Sequence, residues 1–377
     1  MATSTSNNLI YILICNQMMK HVNTFVHKTA LRSQIGYPVA LGRNYDKVIP
    51  TMRESYNNAG DAYTEKGTYE RERHDDERVL IDRVCDMWKV DKKKCWGYTT
   101  SGGSEGNLQG LWMAREQYPG AVLYFSDQIH YSIKKMAKIL QLETVVIPSD
   151  STGAIDLEEL THVVDYSRPI VILANIGSTF LGGIDDVKSI RNIFGDDVYI
   201  HADAAFFGFV MPQMFPGYDG YKYMDSISVS SHKWPGVPFP GGVFISVSDH
   251  VSHIENFEEV IRQRDVTISG SRNGHTPVFL NHFFDTVDLG EDVERCLYLT
   301  DYLKMRLREA VPECMPCSND RIPIVTFNRP SDKIIRKWSL ATMGNRSHVI
   351  CLDHVTEKVI DAFVHDMAMY FGRRSSC

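Results

Sequence analysis

Short runs of apolar residues alternate with amphipathic stretches along the middle of the chain, from about residue 95 onward. These runs are rich in Val and Ile, and several are apolar on both faces of a strand. The pattern is typical of a mostly parallel sheet covered by helices on both sides. The predicted strands are AVLYFSD (121–127), ETVVIPS (143–149), PIVILANIGST (169–179), VYIHADAA (198–205), SISVSSH (226–232) and GGVFISVS (241–248).

Helical patterns lie between the predicted strands, and this alternation predicts a doubly wound α/β domain. Sheets of this kind bind ligands beyond the carboxyl ends of their strands. Polar residues occur at three such ends, in NIGST (175–179), HADAA (201–205) and SSHK (230–233). The predicted helices span residues 104–117, 129–140, 157–164 and 187–193.

After about residue 280 the pattern changes to that of a smaller α+β domain, with amphipathic helices at 293–310 and 356–371 and a strand at 322–330. Near the N-terminus, the apolar run LIYILIC (9–15) is too short to span a bilayer and lacks the basic start of a signal peptide. We expect it to pack on a second subunit. The predicted division is an N-terminal arm at 1–45, a large α/β domain at 46–278 and a small C-terminal α+β domain at 279–377.

The composition of the 377-residue chain is that of an ordinary globular protein, with 43% hydrophobic and 23% charged residues. A net charge of −7 and a pI near 6.1 argue against nucleic acid as a partner, and no segment predicts a membrane span. Among eight scattered cysteines, Cys314 and Cys317 form only a weak zinc or redox signal. We expect free thiols in a reducing cytosol, and therefore a cytoplasmic protein.

TTSGGSEGNLQG (99–110) places two glycines and a serine at the start of a predicted helix. The backbone N–H groups of Gly103 and Ser104, with the helix dipole behind them, would form a phosphate site. Gly-Gly-Ser before a helix is also an ordinary turn. Taken alone, the motif leaves both interpretations open.

Asp203 and His130 are two further candidates whose roles the local sequence leaves open. A carboxylate in an apolar strand end, such as that of Asp203, needs a cation or hydrogen-bond donors. It is either a helix cap or structural ion pair, or the partner of a protonated ring nitrogen, beside an Ala205 small enough to admit a flat ring. His130, in the first turn of the helix predicted at 129–140, is either an ordinary histidine or stacked on a planar cofactor.

Lys233 ends a predicted core strand, although lysine is strongly hydrated and rarely buried without a partner. It is either a solvated turn residue or a reactive amine, because a lysine with a lowered pKa forms Schiff bases with carbonyl compounds. A phosphate site, a stacking histidine, a carboxylate for a ring nitrogen and an amine for an aldehyde together describe pyridoxal 5′-phosphate (PLP). We therefore predict PLP as the cofactor.

Longer motifs occur in a characteristic order over residues 35–371: IGYP (35–38), YNNAGD (56–61), WGYTTSGGSEGNLQG (96–110), SDQIHYSIKK (126–135), ANIGSTFLGGIDD (174–186), IHADAAFFG (200–208), SVSSHK (228–233) and ISGSRNGHTP (268–277). In these motifs the chain resembles the group II, PLP-dependent amino-acid decarboxylases of fold type I. It is most like the branch of bacterial histidine decarboxylases and plant serine or histidine decarboxylases. The resemblance implies a mostly parallel, seven-stranded, doubly wound large domain that binds PLP. It also implies a homodimer with composite active sites, and conversion of an L-amino acid to its amine and carbon dioxide.

The resemblance further implies a role for each matching site residue. Lys233 would bind the cofactor covalently, and Asp203 would face the pyridinium nitrogen. His130 would stack on the ring, with Ala205 beneath the other face. The phosphate would be held by Gly103, Ser104, Ser230 and His232.

Residues expected near the substrate depart further from the family. The segment AYTEKGTYERERHDDE (62–77) differs from the apolar, Asn-rich segment expected after NNxGD, so the substrate stays open between histidine, serine and another small amino acid. Ser178 is expected near the ring or the substrate carboxylate, and Arg272 at the subunit interface, facing a phosphate or carboxylate of the partner chain. Tyrosines that either line the substrate pocket or belong to the ordinary core are Tyr37, Tyr63 and Tyr69.

Two smaller departures flank the reactive lysine. Ser231 replaces the usual glycine, and Gly241 stands where a cysteine commonly follows proline. Neither change alters the chemistry of the Lys233 amine.

Other functions remain open at this stage. A decarboxylating aldehyde synthase or an aminotransferase would share the lysine and the aspartate, and a catalytically silent homologue would act as a binding partner. A metal-dependent hydrolase is an alternative from another class of enzyme, and it would need zinc ligands. No H-E-x-x-H motif occurs, and we predict no metal. Its candidate ligands are His130, His201, His232 and Asp203.

Overall fold

The computed structural model describes most of the chain, and the run LIYILIC (9–15), with most of the predicted N-terminal arm, lies outside the described residues. No helix in the described part is both long enough and apolar enough to cross a membrane. The described residues are 33–64, 67, 69–246, 250–254 and 256–372.

A seven-stranded sheet forms the centre of the larger part of the fold. Its strands are β1 (Trp96–Thr100), β2 (Val122–Ser126), β3 (Glu143–Ile147), β4 (Ile170–Asn175), β5 (Val198–Asp203), β6 (Ser226–Ser230) and β7 (Gly242–Ser246). They lie in the order β1-β7-β6-β5-β4-β2-β3. The pairs from β6 to β3 are parallel, whereas β7 runs antiparallel to both β6 and β1. The sheet is therefore mostly parallel, as predicted.

The two central strands β4 and β5 are buried along their whole length, which accounts for their nearly continuous apolar sequence. β1 is different, because the sequence pattern did not predict it. Its residues WGYTT form neither an apolar run nor a strict alternation of apolar and polar residues. They are nevertheless fully buried, since β1 pairs with β7 at the edge of the sheet and α1 (His74–Trp88) packs against it.

Helices cover the sheet, and several begin at an aspartate that caps them. Asp156 accepts hydrogen bonds from the N–H groups of Glu158 and Glu159, and Asp186 accepts one from Ser189. The other helices are α2 (Gly103–Gln117), α3 (Ser132–Ile139), α4 (Leu157–Val163), α5 (Val187–Phe194), α6 (Met211–Met214), α7 (His275–Thr286), α8 (Leu289–Ala310), α9 (Asp332–Trp338) and α10 (Glu357–Phe371).

The start of α3 corrects one sequence prediction. The helix was expected from residue 129, with His130 in its first turn, but it begins at Ser132. The chain first makes a turn after β2, in which the Ser126 hydroxyl oxygen accepts a hydrogen bond from the Gln128 N–H. His130 therefore lies in the loop before the helix, which frees its ring to face the end of the sheet.

The C-terminal part contains a three-stranded antiparallel sheet. Its strands lie in the order Ile324–Asn328, Arg346–Ile350, Ala341–Met343. Helices α8 and α10 pack against each other beside it and share its apolar core. Ile35 belongs to the same core, and its carbonyl oxygen accepts a hydrogen bond from the Ile350 N–H. The remaining strands of the fold are β8 (Asn256–Glu258), β9 (Gln263–Asp265), β10 (Ile324–Asn328), β11 (Ala341–Met343) and β12 (Arg346–Ile350).

Packing is continuous across the boundary predicted at residue 279. Phe279 and Phe283 of α7, and Val293 of α8, belong to the core of the larger part. The predicted domain limits therefore stay a prediction based on the sequence pattern.

Candidate active site

A cavity of about 330 Å³ lies at the carboxyl edge of the large sheet, where β5 and β6 end and α2 begins. This is the position at which open α/β sheets bind their ligands. Most residues predicted to contact the cofactor line it: Gly103, Ser104, His130, Asp203, Ala205, Ser230, His232 and Lys233. Its wall also includes Ser101, Gly102, Glu105, Asn107, Tyr131 and Pro240.

The N-terminus of α2 forms one side of the cavity. The Gly103 N–H donates a hydrogen bond to the Ser230 hydroxyl oxygen at 3.2 Å, which ties the helix to the end of β6. A Cβ atom on Gly103 would lie 2.7 Å from the same oxygen, so only glycine permits this approach. The first N–H groups of a helix have no partner within the helix and favour an anion. The start of α2 is therefore a place where a phosphate group could be held.

Asp203 ends β5 with a carboxylate that is only 7% exposed. Its Oδ2 atom accepts a hydrogen bond from Asn107 Nδ2 at 2.8 Å, and its Oδ1 atom accepts one from the Ala205 N–H at 3.1 Å. Sequence reasoning missed Asn107, because an asparagine inside a helix carries no local signal of this contact. The two donors hold an anionic group at the cavity wall.

Lys233 lies on the same wall, in the loop after β6. Burial of its amine lowers its pKa, and the negative charge of Asp203 partly opposes that shift. Among the described residues, no hydrogen bond or ion pair engages Lys233 Nζ, whereas its carbonyl oxygen accepts from the Ala40 and Gly236 N–H groups. The backbone is held in place, and the amine is available to react.

The two histidines of the cavity are both partly buried. Burial lowers the pKa of His130, with Asp203 opposing and Lys233 assisting the shift. Burial and then Lys233 likewise lower the pKa of His232. His130 Nδ1 accepts a hydrogen bond from the Ser132 N–H, so a neutral ring carries its proton on Nε2. Both side chains are therefore neutral rings at pH 7, able to stack or to donate one hydrogen bond.

Two predicted residues lie away from this cavity. Ser178 is buried, and its hydroxyl oxygen accepts a hydrogen bond from the Gly183 N–H at 2.8 Å within a turn after β4. Arg272 forms a buried ion pair with Glu77 at 2.5 Å and donates to the Gly60 carbonyl oxygen. Both side chains are thus engaged elsewhere in the same chain.

The three tyrosines proposed for the substrate pocket do not line the cavity of the single chain. They are exposed on its surface rather than part of its core, by 56%, 38% and 45% for Tyr37, Tyr63 and Tyr69. The metal-site interpretation has no structural support among the described residues, where no group of three His, Cys, Asp or Glu side chains could hold an ion.

The chemical groups that line the cavity fit PLP. The start of α2 suits its phosphate, the unpaired amine of Lys233 suits its aldehyde, and the carboxylate of Asp203 suits a protonated ring nitrogen. Ala205 is small enough to leave room for a flat ring between itself and His130. The fit follows from the chemistry of each group rather than from any single motif.

Comparisons with known proteins agree with this site. The pyridoxal-dependent decarboxylase conserved domain matches residues 77–329. Histidine decarboxylase from Vibrio campbellii is 35% identical over 356 residues, covering 90% of this chain and 92% of that protein. Serine decarboxylase 1 from Oryza sativa subsp. japonica is 34% identical over 351 residues, covering 89% and 72% respectively.

The fold has a close counterpart in a solved structure, L-methionine decarboxylase from Streptomyces sp. 590 in complex with L-methionine methyl ester. The TM-score is 0.84 and the identity 21%, with 94% of each chain covered. At that identity the likeness shows the fold. Together with the sequence relatives and the site, it shows that the chain belongs to the pyridoxal-dependent decarboxylase family, as a fold type I carboxy-lyase that uses pyridoxal 5′-phosphate.

Proposed function

We propose that this enzyme decarboxylates L-histidine to histamine or L-serine to ethanolamine. The single observation that carries a decarboxylase site is the cavity in which Lys233, Asp203 and His130 meet the start of α2. The choice of substrate is supported by relatives named histidine and serine decarboxylases, each similar over most of the chain. The proposal extends to another small amino acid, because the segment 62–77 departs from the family pattern.

Each cavity residue has a proposed task in holding the cofactor. Lys233 binds the aldehyde, and Asp203 faces the ring nitrogen. His130 stacks on one face of the ring and Ala205 lies against the other. The phosphate ligands are Gly103, Ser104, Ser230 and His232, all of which line the cavity.

The chemistry divides between the cofactor and the chain. Bound PLP supplies an electron sink for the pair of electrons left when carbon dioxide departs. Asp203, as an anion, keeps the ring nitrogen protonated. The Lys233 amine, whose pKa is lowered by burial, holds a proton that it can give to the substrate Cα after the carboxylate has left. The enclosing walls orient the carboxylate that leaves.

The pocket for the substrate side chain is proposed to be composite. Tyr37, Tyr63 and Tyr69 are exposed on one chain, which leaves them free to meet a second chain of a homodimer. In that assembly we propose that the segment around Arg272 lies at the subunit interface, while the Arg272 side chain keeps its ion pair with Glu77. We also propose that the turn of Ser178 lies near the cofactor ring or the substrate carboxylate. A cytoplasmic location is part of the same proposal, supported by the absence of disulfides among the cysteines of the described part.

A screen of the twenty amino acids with the PLP-loaded enzyme tests the proposed function. We expect carbon dioxide and the matching amine from histidine or serine. Aldehyde with ammonia and peroxide would instead identify an aldehyde synthase, and a keto acid without carbon dioxide an aminotransferase. No turnover of any amino acid would contradict the proposal and favour a silent binding partner.

A separate measurement tests the lysine. Borohydride should reduce a bond between Lys233 and the bound cofactor and leave it covalently attached. Lys233→Ala should lose this adduct, while Lys134→Ala, at a lysine on α3, should keep it. An adduct that persists in Lys233→Ala would rule out the assignment.

A further inference from the structure

A chain of buried hydrogen bonds runs behind the cavity and ends at Asp203. Tyr199 donates from its hydroxyl to Ser226 Oγ at 2.9 Å, and Ser226 Oγ lies 2.8 Å from His201 Nδ1. His201 Nε2 lies 3.0 Å from Asn107 Oδ1, and Asn107 Nδ2 donates to Asp203 Oδ2 at 2.8 Å. We call these five residues the Asp203 chain. It joins β5, β6 and α2, although Asn107 and Asp203 are 96 positions apart.

The chemistry of its last member sets the direction of every bond in the Asp203 chain. An ionised carboxylate only accepts hydrogen bonds, so the Asn107 amide must turn its NH₂ group toward Asp203 and its oxygen toward His201. That oxygen requires a proton on His201 Nε2. Nδ1 is then an acceptor, which receives the Ser226 hydroxyl proton. One tautomer of His201 satisfies the whole set.

Burial keeps His201 in that neutral form. The side chain is fully buried, and burial lowers its pKa to about 4, although Asp203 and Ser226 act in the opposite direction. Asn107 is 2% exposed and Ser226 is inaccessible to solvent. Water therefore does not compete for these bonds, and each lost bond would leave a buried polar group without a partner.

The close approach of α2 to the sheet makes the Asp203 chain possible. Gly110 faces the His201 ring, and Gly106 faces Ser228 on β6. At both positions a Cβ atom would overlap the facing side chain. Because Gly106 directly precedes Asn107 and Gly110 lies about one turn after it, the helix comes near enough at this point for the amide to reach two residues of β5.

We infer that Asn107 and His201 are positioning residues, which hold the Asp203 carboxylate as an anion aimed at the ring nitrogen of the cofactor. His201 fixes the orientation of the Asn107 amide, and Asn107 supplies the hydrogen bond that fixes the carboxylate. The inference rests on the proposed contact between Asp203 and the ring nitrogen. Asn107 lies in the cavity wall and His201 lies behind it, and both act through Asp203.

The experiment measures cofactor binding to the full-length protein from which PLP has been removed. It separates the positioning of Asp203 by Asn107 and His201 from a merely structural role. Two ligands are compared: PLP, and a carbocyclic analogue that has the same aldehyde and phosphate but carbon in place of the ring nitrogen. Unmodified protein should bind PLP more tightly than the analogue. If it binds both equally, the proposed contact of Asp203 itself is wrong, whatever Asn107 does.

Asn107→Leu keeps the branched shape of the side chain and removes both its donor to Asp203 and its acceptor for His201. A hydrogen bond to a charged group corresponds to roughly 10- to 100-fold in affinity, and we expect a loss of that size for PLP. Affinity for the analogue should be unchanged. Equal losses for both ligands, or a preference for PLP as large as in the unmodified protein, would overturn the inference.

Two further variants keep the test decisive. Ser226→Ala removes the donor to His201 Nδ1 and the acceptor of the Tyr199 hydroxyl, so it should weaken PLP binding less than Asn107→Leu and again spare the analogue. If Asn107→Leu does not fold, Ser226→Ala is judged by the same criterion. Gln109→Met is the matched control, because Gln109 is an equally buried amide on α2 that contacts Tyr98, Val266 and Ile268 instead. Gln109→Met should change the affinity for PLP and the affinity for the analogue by the same factor.

Discussion

The carboxylate of Asp203 shows how one residue can combine burial with negative charge. It is 7% exposed, yet two donors from its own chain offset the loss of water. In the proposed site, a preorganised charge of this kind would act on the cofactor without first having to reorient solvent. Its contribution to catalysis can be separated from its contribution to folding.

Asp203→Asn should therefore reduce turnover and leave the fold intact. Removing one preorganised electrostatic group of an active site commonly lowers kcat by about 100- to 1000-fold. Steady-state decarboxylation gives kcat, and circular dichroism reports the fold. Near-normal turnover of a folded Asp203→Asn enzyme would contradict the role of Asp203.

Ser231 and Gly241 are two departures from the family that prove to be neighbours in space. A Cβ atom on Gly241 would lie 2.7 Å from Ser231 Oγ. The Ser231 hydroxyl is buried and has no hydrogen-bond partner among the described residues. The serine thus occupies the space that a side chain at position 241 would need, and the two changes compensate in volume.

A double-mutant cycle tests this compensation. Gly241→Cys alone should destabilise the protein by about 1–3 kcal/mol, because it overpacks a buried site. Adding Ser231→Gly should recover most of that loss, which urea unfolding at equilibrium would measure as a coupling between the two sites. Simple additivity of the two effects would show that the residues do not share the space.

At the level of elements, α2 packs on the sheet through apolar side chains such as Leu111 and, on the face toward β5 and β6, through glycines. Gly103, Gly106 and Gly110 lie on one face of the helix, each against a side chain of β5 or β6. Glycine in a helix interior costs about 1 kcal/mol relative to alanine. The helix accepts this cost because close approach brings its first turn and Asn107 to the cavity.

Gly106→Ala should consequently destabilise the protein, even though alanine favours helix. The added Cβ would overlap Ser228 on β6, and overpacking costs typically 1–3 kcal/mol. Gly290→Ala is the control, because near a Cβ at that position in the first turn of α8 lies only Asp288 Oδ1, at 3.3 Å. Urea unfolding of both variants should show a loss for Gly106→Ala alone; a stabilised Gly106→Ala protein would refute the packing argument.

At the scale of the whole molecule, a buried ion pair connects the N-terminal segment, the loop after Lys233 and α8. Arg43 donates to both carboxylate oxygens of Asp292, at 3.0 and 2.6 Å. The Trp234 indole N–H donates to the same carboxylate at 2.8 Å, and the Arg43 guanidinium also donates to the Trp234 carbonyl oxygen. The residue next to Lys233 is thus held by distant parts of the chain.

Asp292→Asn should be strongly destabilising, because it leaves the Arg43 charge buried without its main partner. Breaking a buried pair in this way costs about 3–5 kcal/mol. Glu54→Gln provides the comparison, since the Glu54–Arg71 pair is 54% and 63% exposed and should matter little. Thermal unfolding should give a much lower midpoint for Asp292→Asn than for Glu54→Gln, and equal midpoints would contradict the prediction.

The neutral, buried His201 should make the protein less stable in acid. Its folded-state pKa of about 4 lies below its ordinary value of 6.5, so between these pH values the unfolded chain binds a proton that the folded protein does not. Stability from this residue is present above pH 6.5 and falls as the pH approaches 4, by roughly 3 kcal/mol. His201→Gln should flatten the slope of unfolding free energy against pH in this range; an unchanged slope would show that His201 is not the group responsible.

Much of the fold and of the site could be predicted from the order of residues. The strands β2 to β7 and helices α4 and α5 follow local periodicity and capping residues, which act between near neighbours in the chain. The motifs around Gly103, Asp203 and Lys233 occur at strand and helix ends, and the topology of a parallel sheet brings such ends to one edge. Local physics therefore determined most of the elements and pointed to the cofactor, and most residues predicted to contact it line one cavity.

Other features were decided only by tertiary structure. The edge strand β1 is buried by pairing with β7 rather than by its own pattern, and His130 precedes α3 because of a turn that the periodicity does not reveal. The contact of Asn107 with Asp203 joins positions 96 residues apart, and it exists only because two glycines let α2 approach the sheet. Such contacts depend on the distance between packed elements, a quantity that no short stretch of sequence encodes.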